Sequence, residues 1–165
     1  MNKNFEYLSM KGCKYDDLKK LILEEINARM ETSINGFDKE YKKYPEVKEN
    51  LINALSEFEE KMKDDSLYEN DVQVAFNIQT GVINPLNNIF QHMMMRQAEG
   101  VAFKALIAKV KAAESYDEID EAFKVPPEEG SYWERSIFQC SSKNYQKILN
   151  NSINKALQCF KTPKQ

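Results

Sequence analysis

From Tyr15 onward the apolar residues Leu18, Ile22, Ile26, Met30, Ile34, Phe37, Tyr41 and Tyr44 recur every three or four positions. That interval matches the turn of an α-helix and sets all of them on one face, whereas a strand would alternate. A face of this length must be covered by other apolar faces in water, so the chain has to supply more helices. It does. Pro45 ends the first run, because the residue before proline avoids the α region, and can itself open the next helix. Val47, Leu51, Leu55, Phe58 and Met62 then form a second stripe.

A third stripe, Tyr68, Val72, Ala75, Ile78, Val82, Leu86, Phe90 and Met93, keeps helical phase through Gly81 and Pro85. Pro85 clashes with the carbonyl of Gly81, which predicts a kink or short break there with Asn84 as a new N-cap. Ala98 to Ala113 follows, with Ala102, Ala105, Ala108 and Ala112 as a small-residue face. Ser115 to Lys124 predicts a short helix with Ile119 and Phe123 inward. Pro126-Pro127 marks a loop, and Trp133 to Phe160 predicts one long helix or two meeting near Ser141-Ser142. Ser66-x-x-Glu69, Ser115-x-x-Glu118 and Ser131-x-x-Glu134 have the capping-box form.

Five Gly and five Pro leave little material for the turns of an all-β protein. The pattern therefore predicts an all-α fold, a single multi-helix bundle of five to seven helices with a kinked central helix, built as one domain over residues 1–165. Residues 1–13 are expected to form an irregular N-terminal arm, and 161–165 a flexible end.

The formal charge of −3 argues against a nucleic-acid footprint. Twenty Lys stand against three Arg, so the planar fork that grips phosphate is scarce. Cys13, Cys140 and Cys159 are odd in number and widely spaced, which reads as free thiols in a reducing, cytoplasmic compartment. The first residues show no apolar signal segment, although export without a cleaved N-terminal signal stays open.

Chemistry-bearing motifs are few. His92 is the sole histidine, the glycines stand apart, and no dinucleotide or phosphate loop occurs. Neither a metal nor a cofactor is expected. Met93-Met94-Met95 lie about 100° apart in a helix and cannot converge on one ion, so packing explains them better. Asp117, Asp120 and Glu121 read as an acidic face near a helix N-terminus, where the macrodipole favours carboxylates.

Three features bear on function. Val72 to Met95 contains no charged residue in a chain that is 30% charged. Its Gln and Asn residues exclude a membrane span and leave two readings, a central helix with buried amides or an uncharged interface. Asn84, Asn87, Asn88, Gln91 and His92 are its interaction candidates. Tyr132 and Trp133, beside the proline loop, are further candidates, either as anchors or as a plug for the end of the bundle. Charge is also segregated: residues 45–71 carry nine acidic and three basic side chains, whereas 135–165 carries six basic ones and no acid. Lys143, Lys147 and Lys155 share a helical face that could meet an anionic membrane surface or lie beside the acidic second helix and offset its charge.

The expected function is a non-enzymatic protein–protein interaction module, as an adaptor, regulator or exported effector-like protein, with a partner of unknown identity. A helical carrier of a small apolar ligand or lipid is the first alternative. A thiol-dependent enzyme using Cys140 with His92 is the second.

Overall fold

The computed structural model describes residues 3–63 and 68–160. The all-α expectation holds: five helices pack together, a long helix bends by 30°, and the described residues contain no strand. In order, α1 spans Lys3–Met10, α2 Tyr15–Tyr41, α3 Tyr44–Met62, α4 Tyr68–Ile78, α5 Asn84–Ala112, α6 Tyr116–Ala122 and α7 Tyr132–Cys159. A π-helical stretch, Gln79–Ile83, joins α4 to α5. The chain gathers into two compact units, Met1–Ile34 with Gln97–Gln165, and Asn35–Arg96.

The first unit holds the core. Leu18, Ile22 and Ile26 of α2, Phe103, Leu106 and Val110 of α5, and Ile148 and Ile153 of α7 are buried together with Ile119 of α6. The buried face of α5 differs from the one expected. Ala102 is inside, but Ala105, Ala108 and Ala112 face solvent, because the larger Phe103, Leu106 and Val110 claim the interior.

Residues 3–10 correct the expected irregular arm. They form a helix whose Phe5 and Leu8 are fully buried, a pair too short to announce itself by periodicity. The helix stops at Gly12, whose positive φ suits a residue without a Cβ. Gly12 N–H donates to Ser9 O at 3.0 Å and Cys13 N–H to Leu8 O at 3.1 Å, the paired bonds of a Schellman end. Buried Cys13 and Leu8 provide the apolar contact that such an end favours.

Two of the expected helix starts are present, and Ser66 lies outside the described residues. Ser131 accepts from Glu134 N–H while Glu134 accepts from Ser131 N–H, a full capping box. Ser115 accepts from Glu118 N–H at 3.2 Å, but Glu118 reaches Glu114 N–H instead, so that box is displaced by one residue. Helix α7 runs unbroken through Ser141-Ser142. Its buried Ser136, Ser141 and Ser152 each donate to the carbonyl four residues back, which removes the cost of an unpaired hydroxyl.

The second unit is built differently. Pro45 is the second residue of α3, inside the first turn where its missing N–H breaks no helical bond. Val47, Leu51 and Phe58 are only half-buried, and Leu55 faces solvent. Ile89 is the buried apolar residue among those described in this unit. At Pro85 the expected restart at Asn84 does not occur. Asn84 keeps helical angles, and its N–H donates to Gln79 O, five residues back. One widened turn next to Pro85 therefore keeps the helix continuous without a new cap.

Leu106→Ala should lower unfolding free energy by about 3 kcal/mol, through lost burial and an unfilled cavity. Gly130 has a positive φ, and a Cβ there would strike the Glu134 carboxylate. Gly130→Ala should accordingly cost about 1–2 kcal/mol. Urea unfolding followed by circular dichroism measures both, and a neutral Leu106→Ala would contradict this assignment of the core.

Candidate interaction surfaces

Asn84, Asn87, Asn88 and Gln91 of α5 fall at helical spacing and are all exposed, with His92 beside them. The structure therefore puts the amides of the uncharged segment on the surface rather than in an interior. Asn84 accepts from Gln79 Nε2 at 3.0 Å, and Gln73 donates to Asn77 at 2.9 Å. Asn87, Asn88 and Gln91 make no side-chain hydrogen bond among the described residues and lie open to solvent. The His92 imidazole is 66% exposed, with Nδ1 3.8 Å from the Glu40 carboxylate.

Apolar side chains accompany this polar face. Phe76 is 61% exposed and Val72 58% exposed on α4, and Ile52 and Leu55 protrude from α3. Phe90 is partly covered by Tyr44, with ring centroids 5.6 Å apart. Periodicity had assigned Val72, Leu55 and Phe90 to inward stripes. Their exposure is the correction, and it leaves this unit with several apolar side chains at the surface.

The other candidates belong to the first unit. Tyr132 is 60% exposed at the start of α7, and Trp133 is half-buried. An open groove of about 330 Å³ lies beside the proline loop, between Val125, Pro126 and Pro127 and the Ile137 and Phe138 side chains. A second open groove of about 570 Å³ lies across Val125 and Pro126, toward Lys109 and Ala113.

Lys143, Lys147 and Lys155 of α7 are all exposed, and Lys155 also makes an ion pair. Its Nζ sits 2.9 Å from Glu25 of α2. Asn151 donates to the same carboxylate at 2.9 Å, and Arg29 does so at 3.0 Å. Burial raises the Glu25 pKa, but the Lys155 hydrogen bond, the Asn151 hydrogen bond, the Lys155 charge and the Arg29 bond outweigh it and hold the carboxyl below its usual range. No apolar periodicity marks this cluster. The signal available in sequence is Glu25 set between Ile22 and Ile26 on a buried face, with Arg29 one turn on.

Burial pushes the Cys13 thiol up, and its Sγ lies 3.5 Å from Lys14 O. The Tyr116 hydroxyl donates to Cys13 O at 2.6 Å, which ties α6 to the end of α1. Burial is also the largest cause that raises the Tyr116 pKa. Cys140 is buried as well, and Cys159 is exposed. Among the described residues, no three His, Cys, Asp or Glu side chains are grouped so as to hold a metal ion, and no helix is long and apolar enough to cross a membrane.

Comparison with family models, with curated proteins and with solved structures finds no match for this chain.

Two outcomes follow from this geometry. A carboxyl whose folded pKa is depressed adds stability above its unfolded pKa and loses it as pH falls through the folded value. Lys155→Met should therefore lower the urea midpoint at pH 7 and have a smaller effect at pH 3. An equal effect at both values would contradict the ion-pair account. In native protein, iodoacetamide should modify Cys159 well before Cys13 or Cys140, as read by peptide mass spectrometry. Fast modification of Cys140 would instead favour the thiol-enzyme alternative.

Proposed function

We propose that this chain is a non-enzymatic helical module that works by docking another protein, as an adaptor, regulator or effector-like component. The observation that carries the reading is the stretch from Val72 to Met95, which bears no charge yet lies largely at the surface. Solvent-facing helices ordinarily carry charges, because ions lose little by staying in water. A charge-free face can be dehydrated at far lower cost, and charge depletion marks the centres of interfaces. Exposed Phe76 and Val72 add apolar area to the same stretch.

The Tyr132 and Trp133 corner is a second contact candidate, since aromatic side chains contribute much of the energy at interfaces. The open grooves beside the proline loop suit an extended peptide better than an enclosed apolar ligand.

Asn88→Lys should weaken capture of a partner recovered from source lysate by about tenfold, the scale of one charge left without a partner at an interface. Helical content should be unchanged, because Asn88 is exposed. Trp133→Ala tests the second corner in the same assay. Unaltered capture by both variants would remove the docking role from both surfaces.

A further inference from the structure

Charge around the uncharged stretch points to the chemistry of its partner. Helix α3 carries five Glu against two Lys. Over residues 45–95 the sequence holds nine acidic and three basic side chains, and between Lys63 and Arg96 there is neither Lys nor Arg. The exposed apolar residues Ile52, Leu55, Val72 and Phe76 all fall within this acidic span. We propose that they dock a lysine- or arginine-rich amphipathic helix of another protein.

This proposal rests on the docking reading above and narrows it to one class of partner. On α3, Ile52 and Leu55 lie three residues apart and are both exposed. Glu49 stands three positions before Ile52 and Glu59 four positions after Leu55, so the carboxylates bracket the apolar pair on one helical flank. By the same spacing Lys48 and Lys63 are the cations on that flank, Lys63 being held by Glu60. Among the described residues, Glu46, Glu49 and Glu59 have no cation at ion-pair distance, while Glu60 is paired with Lys63 at 2.6 Å.

An apolar stripe edged by unpaired carboxylates complements a helix with a leucine-type stripe edged by Lys or Arg. Two copies of this unit would instead bring like charges together, which disfavours self-pairing through the same surface.

The test uses the full chain and three synthetic amphipathic helices that share one leucine stripe but carry Lys, Gln or Glu flanks. A fourth, Lys-rich peptide without the stripe is the control, and binding is read by fluorescence anisotropy. The Lys-flanked helix should bind at least about tenfold tighter than the Gln helix at low salt, with the difference shrinking as salt screens it. Glu49→Lys with Glu59→Lys should remove that preference, and Val72→Ser with Phe76→Ser should weaken every stripe-bearing helix. All four positions are exposed, so circular dichroism should show the fold retained in both variants.

If the Gln or Glu helix binds as well as the Lys helix, the partner class is wrong while docking through this surface stands. If the stripeless Lys peptide binds equally, the attraction is general electrostatics and the proposal fails. If no helix binds, the proposal fails, and the capture assay above decides the docking reading separately. A concentration-dependent dimer that Val72→Ser with Phe76→Ser abolishes would assign the surface to a second copy and overturn it.

Discussion

Leu18, Ile22 and Ile26 of α2 meet Phe103, Leu106 and Val110 of α5 and Ile148 and Ile153 of α7 in one apolar interior. Ordering a chain opposes folding by roughly 1–2 kcal/mol per residue in backbone entropy, and burial of this kind is the main term that offsets it. The other stabilising details of the first unit are local refinements of that burial. The Schellman end at Gly12 turns the chain so that Cys13 and Leu8 are both covered. The Tyr145 hydroxyl donates to Ala102 O at 2.9 Å, and Lys19 donates to Ala113 O at 2.7 Å at the C-terminal end of α5. Such contacts select one arrangement of helices that apolar burial alone would leave loosely specified.

The residues from α3 to the first half of α5 do not repeat this pattern. Among the described residues there, apolar side chains are mostly half-buried or exposed, and the segment that would normally carry surface charge has none. A surface of this kind is held in water at some cost in hydration, and covering it with a partner would recover that cost. The same region carries the chain's acidic surplus, so attraction at a distance and apolar contact at short range can act on one partner.

Much of the fold was legible in the sequence, and the failures share a physical cause. The three-and-four spacing from Tyr15 identified α2, and Pro45 placed the start of α3 to within a residue. Ser131 and Glu134 marked the start of α7. Periodicity reports that residues share a face, but not whether anything covers it. Val72, Leu55 and Phe90 were consequently expected inside and are found exposed. Pro85 announced an irregularity, but a π-turn and a break have the same local signature. The first helix was missed because Phe5 and Leu8 span a single turn, although Gly12 after an apolar pair was a usable C-terminal signal. The interaction candidates Asn84, Asn87, Asn88 and Gln91 could be grouped from spacing alone. Their exposure could not, because an uncharged amide suits either a satisfied interior or a surface.

The two units divide the labour: buried apolar contacts anchor the first, while the described residues of the second keep apolar and uncharged surface outward. Native-state hydrogen exchange measures this directly, since amides in a core open only with the whole unit. Residues 18–26, 103–110 and 148–153 should exchange slowest, and residues 47–60 together with 72–83 should exchange markedly faster. Protection of 47–60 and 72–83 equal to that of 103–110 would show a second core of comparable strength and contradict the account.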